Sequence, residues 1–397
     1  MGRFVAQFES LPFRRISVKK ICNLATVHPR DDVRIFRKEC RAEALYYEVH
    51  YVTCDGGGDE LTKEGIRIHG IKKYKSKLLR GIFAPFEIYK QAKVINADTY
   101  ILHDPELLLI ALLLKKSSKC VIWDCHEYYE QDTCCTAGYF FYPILVALRL
   151  LFKAVCHIVI PRLDGCVAAT EGIKILLESR NGKVCLLHNY ALLKEFGAVR
   201  MPGTQDTHHI LYAGSVTPLI SNLIRVLTLC KNDIRLILCC RAVSKNMPIN
   251  LPDIPGFAKV DYMRNVSLEE IQSLSQKCFA GLCLPLPYNL NKNMIFSHNK
   301  IYEYMAMFLP NICPGYNNNA FIKNLVNNDG HPLGLVVDYD PQAIADAIDY
   351  LYENKEVART MGMNGRKAFE TKYNFESEAD GFLKFLEEVS QSKNQNK

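Results

Sequence analysis

Acid and imidazole side chains recur together at three points of the chain, each where an apolar run gives way to polar residues. "TVHPRDDVR" carries His28, Asp31, Asp32 and Arg34; "ILHDPELL" carries His103 and Asp104; "IWDCHEYY" carries Asp124, His126 and Glu127. Imidazole changes charge near neutral pH, and a buried imidazole or carboxylate needs partners. Two such pairs ending two strands of one sheet fit a polar pocket for a hydroxyl-rich acceptor. They offer no ligand set of the usual metal geometries, so no metal is expected. Asp31 also fits the N-cap of the helix that follows, and that use of the first cluster stays open. A fourth point is "YAGSVTPLISN", where Gly214 and Ser215 would let the backbone approach a phosphate closely. A fifth is "SHNKIYEYMA": Glu303 stands among Ile301, Tyr304 and Met305, which recur at helical spacing, so a carboxylate sits on a helix otherwise made for burial. An ion pair with Lys300 would also account for it.

The elements that must position these residues alternate regularly. "KKICNLATVH", "YEVHYVT", "DTYILHD", "KCVIWDCHE", "DGCVAAT" and "KVCLLHN" read as strands. Between them fall helices such as "DDVRIFRKECRAEALYYE", residues 80 to 95, and "PELLLIALLLKK", with "CDGGGDE" read as a loop. The alternation implies a parallel sheet covered on both faces, with ligands at the carboxyl ends of its strands. It begins afresh at "HILYAGS" after an aperiodic stretch around 190 to 208. "SLEEIQSLSQ" opens with the capping box Ser267–Glu270, and a last helix has Asn374 as its cap and Glu376 and Glu378 in its first turn. The fold class expected is therefore α/β, with two doubly wound units. The boundaries expected are 1–192, 193–374, a helix over 375–390 and a disordered tail over 391–397.

Composition narrows the setting. At 397 residues the chain favours two domains over one. Its sixteen cysteines fall singly or in adjacent pairs inside apolar runs without a C-x-x-C, which reads as buried thiols in a reducing cytosol. The formal charge of +7 suits anionic partners, but basic and aromatic residues do not interleave as nucleic-acid binding requires. The opening residues lack the apolar core of a signal peptide. In the apolar stretch 137 to 161, Arg149, Lys153 and His157 recur every four residues. That pattern fits a helix over 144–160 lying on an anionic membrane surface, and equally a core helix with snorkelling basic ends.

The run "SHNKIYEYMAMFLPNICPGY", followed by "GLVVDYDPQAIADAIDYLYEN", resembles the C-terminal half of glycosyltransferase family 4, two-domain bacterial enzymes of GT-B type. "VHPRDDVRIFRKE", "LHDPELL", "DCHEYY" and "YAGS" resemble the same family's other motifs, in the expected order, from about 18 to 390. The resemblance implies two Rossmann-like domains facing across a cleft, with the final helix crossing back onto the first. It implies a retaining transfer of sugar from a nucleotide-sugar donor to a lipid-linked or oligosaccharide acceptor, in building a capsule, O-antigen or exopolysaccharide. No cofactor is implied, and the enzyme would be cytoplasmic and peripheral on the inner membrane. It assigns His103, Asp104 and Glu303 to catalysis. Gly214, Ser215, Arg241, Ser297, His298, Asn299, Lys300 and Glu303 fall to the donor, with Glu303 accepting the ribose hydroxyls. The acceptor side takes His28, Asp31, Asp32, Arg34, Asp124, His126 and Glu127. Two departures stand out: Ile295 occupies the place of a second glutamate, and "SVTPLISN" lacks the basic residues that usually grip the diphosphate. Arg241, Lys245, Lys292 or Lys300 would have to replace them, and a catalytically weak scaffold subunit is the alternative reading.

Overall fold

The computed structural model describes residues 19–116, 119–127, 142–202, 207–243, 250–283, 299–316 and 319–392. Two compact units divide the chain. The first is Met1–Ala169 with Ile173–Leu187 and Gly381–Lys397; the second is Thr170–Gly172 with His188–Asp380. The division at 187/188 stands against the expected 192/193, and the last helix is shared between the units at 380/381.

In the first unit eight strands run β1 Lys20–Ala25, β2 Glu48–Thr53, β3 Gly58–Leu61, β4 Arg67–Gly70, β5 Thr99–Leu102, β6 Cys120–Cys125, β7 Gly165–Ala168 and β8 Val184–Leu186. Their order across the sheet is β3-β4-β2-β1-β5-β6-β7-β8. All neighbours are parallel except β3 and β4. The "CDGGGDE" segment thus supplies part of an antiparallel edge strand where a loop was expected. Positive φ at Gly56 and Gly58 lets the chain turn there.

Strand alternation sorts β1: Cys22 and Leu24 enter the core beneath the helices α2 Lys77–Ile95, α3 Leu108–Lys116 and α4 Tyr142–Val159. Ala25 joins a smaller cluster with Ile35 and Cys40. The helix expected from Asp31 onward winds differently from an α-helix. Ile35–Cys40 is π-helical and only Arg41–Glu43 (α1) is α-helical. The wider i→i+5 winding brings residues five apart, such as Arg34 and Glu39, onto one face, which 3.6 residues per turn would not do.

The second unit holds a fully parallel six-stranded sheet of β9 His209–Val216, β10 Arg235–Val243, β11 Val260–Arg264, β12 Cys278–Leu282, β13 Asn311–Pro314 and β14 Gly334–Val337, in the order β11-β10-β9-β12-β13-β14. Helix α5 Glu171–Glu178 lies mostly in the first unit; α6 Pro218–Val226, α7 Leu268–Ser275, α8 Asn299–Ala306, α9 Ala320–Asn327, α10 Pro341–Glu353 and α11 Lys355–Thr371 follow in the second, up to α12, Phe375–Ser392. Two clusters form the core of this unit. Both halves of the Ser267–Glu270 capping box are present at α7. Asn374 caps α12 by accepting from the Ser377 amide at 2.8 Å. The expected tail overlaps the end of α12, and 393–397 lies outside the described residues.

Candidate active site

At the carboxyl ends of β1, β5 and β6 the first unit gathers a buried polar network. His103 follows β5 directly and is fully buried, as is Asp124 on β6. His103 Nε2 lies 2.8 Å from Asn23 Oδ1, while the Asn23 amide donates to Glu43 Oε2 at 2.6 Å. With its amide turned to Glu43, Asn23 offers only its carbonyl, so His103 donates from Nε2 and turns the Nδ1 lone pair to Asp124. Asp124 Oδ2 lies 3.1 Å from that Nδ1 and 2.5 Å from His126 Nε2, which is itself 3.3 Å from His103 Nδ1. The His126 Nε2–H is therefore the proton lying between two acceptors.

Arg34 closes the network from the π-helical side. It donates to both Asp124 oxygens at 3.0 and 2.7 Å and to the Leu187 carbonyl at 2.9 Å, and it lies 3.0 Å from Glu39. Burial alone would raise the Asp124 carboxyl, but the Arg34 guanidinium and His126 hold it well below the usual range. Burial lowers His103 to about 4 against the pull of Asp124, so the ring is neutral at physiological pH. Glu39 is pushed well above the carboxylate range by burial and by the Asp124 charge, and burial raises Glu43 to about 8. The Arg34 guanidinium thus meets the Asp124 charge, and burial pushes both glutamates toward the neutral form. Among the described residues, His103, Asp124 and His126 are the one group whose ligand atoms could surround a single ion. Arg34 already supplies the positive charge such an ion would bring.

The accessible rim belongs to other residues. His28, partly exposed, meets His126 edge-on with ring centroids 5.0 Å apart. His28 Nδ1 pairs with Asp32 at 2.9 Å, which raises the His28 pKa against burial. The same bond, with the Ile35 and Arg34 amides, keeps Asp32 ionised although burial opposes it. Asp104, expected to be catalytic, is buried and accepts the Thr26 and Val27 amides at 2.6 and 3.1 Å, fixing the turn after β1. Asp31 and Glu127 are exposed and take no described part in the network. Asn23, Glu39 and Glu43 escaped sequence reasoning. The one signal was a lone Asn inside the apolar strand "KICNLA".

In the second unit Gly214 lies near the end of β9, paired with Cys240 of β10 just before a register shift that contains Arg241. A Cβ on Gly214 would fall 2.5 Å from the end of the Lys300 side chain, so glycine makes the room in which Lys300 lies. Lys300 Nζ also sits 5.3 Å from the centre of the Tyr212 ring. On α8, Ile301, Tyr302, Tyr304, Met305 and Ala306 are buried, and Glu303 is half-buried. The Tyr304 hydroxyl donates to the Leu282 carbonyl and accepts from the Ala213 amide, tying α8 to β12 and β9. Ser215 is exposed, and at the neighbouring start of α6 the buried hydroxyls of Thr217 and Ser221 have no hydrogen-bond partner. Asn299 opens α8 and is exposed; Ser297 and His298 lie outside the described residues, as do the Arg241 side chain, Lys245, Lys292 and Ile295.

No family model and no curated sequence matches the chain. Solved structures do. Sucrose-phosphate synthase from Thermosynechococcus elongatus superposes with a TM-score of 0.73 at 13% identity, covering 94% of this chain and 100% of that one. Anabaena HepE, solved with UDP and glucose, gives 0.67 at 12% identity over 93% and 100%. WaaG, a glycosyltransferase involved in lipopolysaccharide biosynthesis, gives 0.63 at 10% over 91% and 98%. At these identities the likeness is one of fold, and the fold is that of GT-B glycosyltransferases: two Rossmann-like units of parallel sheet, with a C-terminal helix.

Proposed function

We propose that the protein is a retaining glycosyltransferase of family 4 type, moving a sugar from a nucleotide-sugar donor to a lipid-linked or oligosaccharide acceptor in the assembly of a cell-surface polysaccharide. The observation that carries the donor half is the nesting of Lys300 over Gly214 on the helix that holds Glu303 half-buried. A carboxylate can accept two ribose hydroxyls at once, and an ammonium beside a bare backbone suits a diphosphate. The unpartnered Thr217 and Ser221 hydroxyls support the same reading, because neutral donors at a helix start can serve where basic residues are missing. The solved relatives named above include one bound to UDP and glucose, in keeping with such a donor.

On the acceptor side His28 and His126 are the accessible groups. His126 draws its orientation from Asp124, which Arg34 holds in turn, and from the His103 Nδ1 lone pair beside it, so His103 acts as a positioning residue behind the reacting surface. No metal or cofactor is called for: Arg34 balances Asp124, and Lys300 meets the leaving diphosphate. No described helix is long and apolar enough to cross a membrane. A cytoplasmic protein touching the inner membrane through α4 accords with Arg149 and Lys153 on that helix.

A panel of UDP-, GDP- and other nucleotide sugars screened by thermal shift tests the donor half, since a ligand bound to the native state raises its melting temperature. Stabilisation by one class, lost in Glu303→Ala, is the expected result. Absence of any shift would favour the scaffold reading, which the lack of a basic residue in "SVTPLISN" supports.

A further inference from the structure

The outer surface of the first unit carries apolar side chains where water would ordinarily select polar ones. Helix α2 buries Ala84, Ile88 and Ala92 against the sheet, yet Leu79, Phe83 and Phe86 on its other side are about half exposed. Helix α3 packs beside both α2 and α4 and exposes Leu109, and α4 exposes Leu150 and Ile158. Eleven of the twenty exposed large apolar side chains among the described residues belong to these three helices. Scattered surface leucines need no explanation, but a run of this kind on adjoining helices marks a surface that is covered in use.

Charge identifies the cover. Across α2, α3 and α4 the sequence holds eight basic residues and one acid, Glu87, a surplus of seven. That surplus equals the formal net charge of the entire chain. The exposed lysines 72, 73 and 75 add to it just ahead of α2. A second copy of the chain would bring the same positive surface against itself. An anionic bilayer satisfies both features, since its head groups take the lysines and its acyl boundary takes the leucines and phenylalanines.

We propose that α2, with α3 and α4, is a bilayer-docking face, in which the first half of α2 sinks its Leu79–Phe86 side into anionic phospholipid. The contact therefore extends well beyond 144–160. The face also adjoins the site. Arg80 in the first turns of α2 lies 3.5 Å from Glu106, and Glu106 accepts the Thr26 hydroxyl at 2.6 Å, beside the turn that Asp104 fixes. Resting on the transferase reading above, this position assigns the acceptor to the lipid-linked class: its chain stays in the leaflet while its polar head reaches His28 and His126.

The test is sedimentation of the full chain with vesicles of phosphatidylcholine alone, or with about a third phosphatidylglycerol, at low salt and at about 0.5 M salt. Binding is expected only to the anionic vesicles and should fall with salt. The double variant Leu79→Ser with Phe83→Ser should lower the bound fraction about tenfold, and Lys73→Glu with Lys75→Glu should do so without touching any packed residue. No sedimentation of the wild type, binding by both double variants undiminished from wild type, or a dimer that Phe83→Asp dissolves while vesicles capture nothing would each overturn the proposal. The thermal shift with nucleotide sugars separates the two claims. Docking with no nucleotide effect leaves the membrane face standing and removes the transferase reading. A nucleotide effect without docking does the reverse.

Discussion

At the scale of single residues, the two sites differ in how much each side chain is committed. Glu303 and Lys300 sit on a helix anchored by its buried neighbours, so they can be altered without emptying a core. Glu303→Ala and Lys300→Ala are expected to raise the donor KM by about 10- to 100-fold, the worth of one or two charge-assisted hydrogen bonds, with unchanged melting. Steady-state kinetics beside a melting curve checks this; a KM within about twofold of wild type would remove both from the donor site. Arg34 is the opposite case. Arg34→Met strands the Asp124 charge in a buried pocket and should cost about 3–5 kcal/mol in denaturant unfolding. A loss under about 1 kcal/mol would mean the network is solvated. The histidines and acids at strand ends were legible because such residues seldom end apolar strands without partners. Which of them face outward was not, since burial of His103 behind His126 depends on β1, β5 and β6 lying side by side.

At the scale of elements, the caps and periodicities written into the sequence recur in the structure, and the exceptions have local causes. The capping box of α7 and the Asn374 cap of α12 are set by residues within one turn, so no tertiary information was needed. The π-helical turn at Ile35–Cys40 was beyond periodicity, because it answers to Asp124 and Asn23, which are distant in sequence. The start of α12 is fastened by His188: its Nδ1 lies 2.6 Å from Glu378, its Nε2 2.9 Å from Glu171, and its amide donates to Glu378. Burial would lower this histidine, but the two glutamates outweigh it and raise its pKa to about 9. His188→Gln is expected to cost on the order of 2–3 kcal/mol at neutral pH and much less above about pH 9, measured by urea unfolding across pH. A cost independent of pH would show that packing, not charge, holds the helix. Packing decides Gly362 on α11, where a Cβ would come 2.2 Å from the Phe308 carbonyl oxygen. Gly362→Ala should destabilise by about 1–3 kcal/mol, and an unchanged unfolding midpoint would contradict that packing.

At the scale of the whole molecule, ionisable groups set opposite limbs of a stability curve. Raised groups stabilise fully below their unfolded pKa, so His188 and Glu43 lose their contribution as pH rises through about 9 and about 8 respectively. Lowered groups act the other way: neutral His103, and the ionised Asp32 and Asp124, support the fold above their unfolded values and cease to as pH falls, for His103 through about 4. Melting temperature should therefore peak between these limits, and His188→Gln should flatten the alkaline limb alone; a curve that climbs steadily to pH 10 would refute this. The sequence by itself determined the alternation of strands and helices, the doubling of the unit, the caps and the residue types at strand ends. Those follow from side-chain period and local hydrogen bonding, which act over a few residues. The tertiary structure decided which acids burial pushes toward the neutral form, that Asp104 accepts backbone amides while His28 and His126 form the rim, and that α2 leaves its apolar side uncovered. Protonation and exposure depend on what distant segments bring within a few ångströms, and no local pattern records that.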